Sequence, residues 1–206
     1  MEPETDFILP IVLGVIALVL ILKSVIMVTE QTAYVIERFG KFTRIAHSGL
    51  GFIIPVIDRK ATTMNLRVQQ LDVEIETKTK DDVFVHLRVS VQFLVGRNMV
   101  KEAYYSMDNP KNQISAYIFD DVRAEVPKLE LDDVFAKKDD IAIAVQRNIA
   151  KSMEKYGYKI VKALVTDIDP DHKVKDAMNR INAAKRDREA AHEEGEAQKI
   201  IIVKQA

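Results

Sequence analysis

The spacing of hydrophobic positions changes character along the chain. From Phe7 to Leu22 no residue is charged; Lys23 and Ser24 interrupt, and Val25–Val28 resume the apolar run. As one helix, Phe7–Val28 would reach about 33 Å at about 1.5 Å per residue, enough for a hydrocarbon core of about 30 Å. The pattern predicts a transmembrane helix with Phe7, Leu13, Leu18, Leu22 and Val28 among its anchoring residues. Past Val28 the period becomes two. Ala33–Phe39 reads as a strand, Gly40 as a turn, and Phe42–Ile45 as a second strand. Gly49-Leu50-Gly51 reads as another turn. Leu71–Glu76 alternates apolar with acidic, and Lys80-Asp81-Asp82 makes a polar turn. Val83, Val85, Leu87, Val89, Val91, Phe93 and Val95 then share one face, with His86, Arg88, Ser90 and Gln92 on the other, as in a long antiparallel hairpin.

The period next becomes helical. Asn109-Pro110 is a cap followed by a first-turn proline. Ile114, Tyr117, Ile118 and Val122 form a stripe that Pro127 closes. A second helix runs from about Asp139 through Ile141, Val145, Ile149 and Met153, with Gly157 as its stop. Tyr158–Ile168 reads as a strand, and Asp169-Pro170 as the start of another helix with Asp169 as N-cap. From Lys173 to Ala206 charged residues and alanines dominate, and Val174, Ile181, Ala184, Ala191 and Ile202 mark a seam of small or apolar residues at three-four spacing. Two readings stand there, a solvated single helix or a rod that packs beside copies of itself. The apolar run Ile200–Val203 leads us to expect a helix that continues past Ala206.

Charge sharpens the front of the chain. Met1–Asp6 carries Glu2, Glu4 and Asp6 and no Lys or Arg, unlike the basic start of a secretory signal, so an uncleaved anchor is expected. Lys23, Arg38, Lys41 and Arg44 follow the apolar run, which places the body of the protein in the cytoplasm by the positive-inside rule; a hairpin with both ends cytoplasmic is the alternative topology. Leu50–Ile57 is apolar on both faces, led by glycine and broken by Pro55. It reads either as a buried strand or as a loop dipping into the membrane, with Leu50, Phe52, Ile53, Ile54 and Pro55 as the contact residues.

Composition removes whole classes of chemistry. The 206 residues include no cysteine, which excludes disulfides, thiolate nucleophiles and Cys-ligated metals. With 30 Lys+Arg against 31 Asp+Glu the net charge is -1, and no basic stripe suits nucleic acid. His47, His86, His172 and His192 lack ligand spacing. Gly49-Leu50-Gly51 has neither the third glycine nor the lysine of a phosphate loop. The acidic pairs Asp81/Asp82, Asp132/Asp133 and Asp139/Asp140 sit at turns or helix starts, where capping accounts for them. No catalytic residue, cofactor site or metal site is assigned.

The residues carry a family resemblance. Glu37–Phe42 (ERFGKF) and Gly49–Asp58 (GLGFIIPVID) resemble the stomatin-type start of the SPFH, or band-7, domain shared by stomatins, prohibitins and flotillins. Leu66–Val73, Glu76–Val85, Tyr117–Phe135, Lys137–Val145, Tyr156–Val161 and Asp167–Arg186 are similar to the plant hypersensitive-induced-reaction branch. That branch is attached by lipids, whereas this chain has an apolar span and neither a cysteine nor a glycine after Met1 to acylate.

The apolar run and the resemblance together lead to an expected α+β fold: an N-terminal tail and transmembrane anchor helix (1–28) read from the run, then, as the resemblance implies, a two-part SPFH domain with an antiparallel β-rich half (29–95) and an αβ half (96–170), and the start of a long coiled-coil-like helix (171–206). It further implies a non-enzymatic scaffold that forms a ring or cage of copies of itself on a lipid bilayer. Such a scaffold organises a membrane microdomain and regulates partners such as membrane proteases or channels. A membrane-anchored hydrolase with an unrecognised site, or an adaptor of one or two copies, are the rival readings.

Overall fold

The computed structural model describes residues 5–205, with side chains from 10 to 197 and at 199. Helix α1 (Thr5–Ser24) leads into five strands: β1 (Val25–Val28), β2 (Thr32–Arg38), β3 (Lys41–Ala46), β4 (Gly49–Phe52) and β5 (Asp58–Asn65). Two longer strands follow, β6 (Gln69–Lys78) and β7 (Phe84–Val95). The remaining elements are α2 (Val100–Tyr105), α3 (Pro110–Glu125), α4 (Leu131–Ala136), α5 (Lys138–Glu154), β8 (Tyr158–Pro170) and α6 (His172–Gln205). The strands form three antiparallel sheets, ordered β1-β4, β3-β2-β5 and β6-β7-β8.

The helix expected to run to Val28 stops at Ser24. The Ser24 hydroxyl donates to the Ile53 carbonyl at 2.6 Å, and the Ile53 N–H donates to the Ser24 carbonyl at 2.7 Å. Beyond it, Val-Ile-Met-Val is mostly β-branched and favours a pleated surface. Burial decides the outcome: Val28 is 5% exposed in a small core with Ile36 and Ala46, so it is a core residue and not an anchor. Among the described residues no helix is long and apolar enough to cross a membrane. Helix α1 is described over 20 residues, Thr5–Ser24. Leu13, Leu18 and Leu22 are exposed along it, and the side chain of Phe7 lies outside the described residues.

The main core is built on β7. Val85, Leu87, Val89, Val91, Phe93 and Val95 are each at most 2% exposed. They join Ile114, Ile118 and Val122 of α3 and Ile141, Val145, Ile149 and Met153 of α5, so the period-two and helical stripes meet in one cluster. Tyr117, expected in the α3 stripe, is 37% exposed at its margin. Strand β8 returns after α5 to pair with β7, so the larger sheet takes strands from both sides of residue 95. Its outer edge is covered by a side chain: Gln146 of α5 donates to the Val161 carbonyl at 3.4 Å and accepts from the Ala163 N–H at 3.3 Å. That amide stands in for a neighbouring strand and blunts a free edge.

The ends of β8 show what local signals decide. Gly157 closes α5 at φ +82, as its position predicts. Asp169 and Pro170 do not start the next helix, because β7 is long enough to keep them paired opposite His86 and Val85. Asp171 takes the capping role, its Oδ1 accepting from the Lys173 N–H at 2.9 Å. In α6, Val174 and Met178 pack partly against the main core. Ile181 is 66% exposed, Ala184 and Ala191 are exposed, and the Ile202 side chain lies outside the described residues.

Candidate membrane-contact surface

Strands β1 and β4 form a two-stranded ribbon with unlike faces. The register pairs Val25 with Phe52, Ile26 with Gly51, Met27 with Leu50 and Val28 with Gly49. Side chains alternate across a strand, so Val28 and Ile26 turn toward the small core while Val25, Met27, Leu50 and Phe52 share the other side. Those four are 45%, 77%, 73% and 67% exposed. Gly51 eases this packing, because a Cβ there would lie 3.2 Å from Ile26 Cγ1 and the isoleucine would have to give way by a few tenths of an ångström. Gly49-Leu50-Gly51 is thus a strand, not the turn its glycines suggest; the bend falls at His47-Ser48.

The apolar surface continues from Phe52 into the next loop. Ile53 and Pro55 are half-buried, Ile53 against the small core, while Ile54 and Val56 are exposed. Val56 is 93% exposed at φ +77, a left-handed conformation that costs a β-branched residue about 1–2 kcal/mol. The turn from β2 to β3 presents Phe39, 82% exposed at φ +48. Phe39, Gly40, Val56 and Ile57 line one recess of about 310 Å³ with Glu37 and Arg59, so the two tips adjoin. At Phe39-Gly40 the positive φ values belong to the two-residue hairpin turn that joins Arg38 to Lys41, so there the fold sets the backbone and the exposed apolar ring is the unusual feature.

One carboxylate sets the loop. Asp58 is 4% exposed at its side chain and accepts from Arg38 Nε at 2.8 Å and from the Ile54 N–H at 2.9 Å. The Arg38 hydrogen bond, and then that of the Ile54 N–H, hold its carboxyl below the ordinary value of 3.8. A depressed carboxylate contributes stability that is present above its unfolded value and is lost as pH falls through the folded one. Amide exchange at Ile54 and Asp58, corrected for intrinsic rate, should therefore stay slow above about pH 4 and accelerate only below it. Asp58→Asn should raise it at neutral pH. Unchanged protection in that variant would mean the loop is held by something else. Glu37 is engaged in turn by the Tyr105 hydroxyl at 2.6 Å, and burial with that hydrogen bond pushes Tyr105 up to about 12, so it stays a donor at neutral pH.

Elsewhere the chemistry is that of a solvated protein surface. Glu74, His86, Arg88, Asp167 and Asp169 line a recess of about 190 Å³ on the open face of the large sheet. Arg88 is paired with Glu74 at 2.6 Å and Lys175 with Asp169 at 2.8 Å. His86 is exposed on that face, as its alternation predicts. Among the described residues no group of three or more His, Asp or Glu side chains could hold a metal ion.

The model of the SPFH domain / Band 7 family matches residues 26–199. The chain belongs to this family. It is 44% identical over 180 residues to hypersensitive-induced response protein 4 of Arabidopsis thaliana, an alignment covering 87% of this chain and 62% of that protein. It is 31% identical over 172 residues to stomatin-like protein stl-1 of Caenorhabditis elegans, covering 82% and 52% respectively. Against stomatin homolog PH1511 of Pyrococcus horikoshii the identity is 28% over 190 residues, covering 90% and 69%. The chain thus spans about half to two thirds of the length of the curated relatives it matches. Within this SPFH domain, the sequence left Leu50–Ile57 open between a buried strand and a membrane-dipping loop; of its expected contact residues Leu50, Phe52 and Ile54 are exposed and Ile53 and Pro55 half-buried, while Val25 and Met27 were grouped with the anchor and the parts played by Phe39, Arg38 and Asp58 were not foreseen. The Ser24 break followed by a β-branched run was the available signal for the ribbon.

Proposed function

We propose that this SPFH chain is a membrane-bound scaffold whose β-rich half lies against one leaflet and whose copies assemble into a ring. The observation that carries the reading is the ribbon: Val25, Met27, Leu50 and Phe52 form a water-exposed apolar face directly continuous with α1. Large apolar side chains collected on one face mark a contact with membrane or protein. The ribbon begins where α1 ends, so whatever surface α1 enters, the ribbon meets at its boundary. In this reading α1 is the anchor, with residues before Pro10 adding to its length, and Leu50–Val56 is the shallow contact.

Because the chain has no cysteine, a Leu50→Cys variant carries a single thiol for a polarity-sensitive dye. On vesicles of phosphatidylcholine its emission should shift to the blue and be quenched by a bromolipid, while a Ser115→Cys label on α3 should respond to neither. Equal responses at both positions would refute the contact.

Assembly is the second part of the proposal. The exposed positions Ile181, Ala184 and Ala191 of α6 make a weak seam for a pair of helices. Anchoring many copies on one surface raises their effective concentration, so weak lateral contacts suffice, and head-to-tail contacts of suitable rotation close into rings. Proteases or channels of the same membrane would be the proteins such a ring restrains. Particle mass after gentle detergent extraction should show a discrete species of many copies. Gly195→Pro, in the middle of exposed helix, should shift that species to smaller mass by breaking α6. One or two copies from a chain of native length would favour an adaptor instead.

A further inference from the structure

The apolar face is collared by cations that the fold leaves unneutralised. Residues 21–60 contain six Lys or Arg (Lys23, Arg38, Lys41, Arg44, Arg59 and Lys60) against three acids (Glu30, Glu37 and Asp58). All three acids are already engaged: Glu30 by Arg97, Glu37 by the Tyr105 hydroxyl, and Asp58 by Arg38. Among the described residues none of the other five cations makes an ion pair, and all five are exposed.

Four of the five adjoin the segments that carry the exposed apolar groups, and Lys60 lies one residue beyond Arg59 over a half-buried ring. Lys23 precedes the ribbon at the end of α1. Arg44 donates through its guanidinium to the Phe52 carbonyl. Lys60 sits 4.6 Å over the ring of Tyr34, whose hydroxyl bonds the Met27 carbonyl. Lys41 follows the Phe39 turn, and Arg59 lines the recess between Phe39 and Val56. A neutral bilayer would satisfy the apolar face but offer these exposed cations no negative surface potential.

We infer that this surface selects a leaflet rich in anionic phospholipid, its apolar face entering the acyl boundary while Lys23, Lys41, Arg44, Arg59 and Lys60 pair with phosphate headgroups. The inference rests on the membrane reading above and adds to it the class of lipid recognised. A basic residue near an anionic surface contributes about fivefold in partition, so three contribute on the order of a hundredfold, and salt weakens the effect.

The test uses the full chain and preformed vesicles of phosphatidylcholine alone or with phosphatidylglycerol, read by flotation at low and high salt. Binding should rise on the anionic vesicles and fall with salt. The triple variant Arg44→Gln, Arg59→Gln, Lys60→Gln should lose roughly a hundredfold of that gain while binding neutral vesicles as before. The charge-preserving Arg44→Lys, Arg59→Lys pair should retain most of it, and circular dichroism of each variant shows whether it is folded. Equal binding of the unaltered chain to both vesicle types would overturn the lipid selectivity and leave the membrane contact standing. Binding to neither would remove both.

Discussion

Glutamate at both Leu50 and Phe52 is expected to reduce vesicle binding by a factor of about 10²–10⁴ with no loss of thermal stability. The two effects separate because the side chains do no work inside the fold. At 73% and 67% exposure they are anchored only through the β4 backbone, and their cross-strand neighbours Met27 and Val25 are exposed with them. Exposed substitutions away from caps and buried networks usually change stability by no more than about 0.5 kcal/mol. Entering an apolar phase, by contrast, recovers about 1.5–3 kcal/mol per large apolar side chain, or about 3–6 kcal/mol for two. Flotation and a melting curve on the same sample read both quantities. A variant that floats as well as the unaltered chain would show that the ribbon meets protein or water and not lipid. A variant that loses binding together with several degrees of Tm would show that the face is structural.

Gly157→Ala is expected to have the opposite profile: a large loss of stability and no direct effect at the apolar surface. Gly157 stands at φ +82, where an L-residue pays about 1–2 kcal/mol. A Cβ there would lie 2.5 Å from the Met99 carbonyl oxygen, 3.0 Å from Met99 Cβ and 3.3 Å from the Ala103 N atom. Two of these obstacles are backbone, so the clash cannot be relieved by a rotamer change, and crowding of this kind costs a further 1–3 kcal/mol or so. The position is also hydrogen-bonded on both sides, its N–H donating to the Glu154 carbonyl at 3.0 Å and its carbonyl accepting from the Gly96 N–H at 2.9 Å. A total of roughly 2–5 kcal/mol corresponds to a fall in Tm on the order of 10 °C for a domain of this size. A melting temperature unchanged within about 2 °C would mean that α2 and the turn after α5 can move apart freely.

The two experiments probe different ends of one architecture. Gly157 holds the turn after α5 against the start of α2, and α2 in turn reaches the β2–β3 hairpin through Tyr105, which bonds Glu37 and stacks edge-on against Phe42 with ring centroids 6.0 Å apart. The hairpin tip that carries Phe39 is therefore braced from the helical half of the domain. Destabilising that half should loosen the exposed apolar loops only when the whole domain begins to unfold.

Local pattern was enough for the elements whose signal is repeated many times. The apolar face from Val85 to Val95, the stripe of Ile114, Ile118 and Val122, the Asn109-Pro110 cap and the Gly157 stop each state a preference that packing then reinforces and appear where the residues predict, whereas Ser90, expected on the polar face, is buried and Tyr117 falls outside its stripe. The blocks from Glu37 to Arg186 likewise identified the family. Three matters were decided only by tertiary structure. An apolar run has no preferred partner of its own, so whether Val25–Val28 continued a helix or formed a strand depended on a distant segment, Gly49–Phe52, being available to pair with it. Asp169-Pro170 is a helix-start signal that lost to two more rungs of the β7 ladder. The collar of cations was visible as residues, but which were free could not be read from their order, because Arg38 meets Asp58 and Glu37 meets Tyr105 only when strands far apart in sequence are brought together. Sequence determines what each segment prefers; long-range pairing determines which faces remain exposed, and in this chain the exposed face is the apolar surface from which its function is inferred.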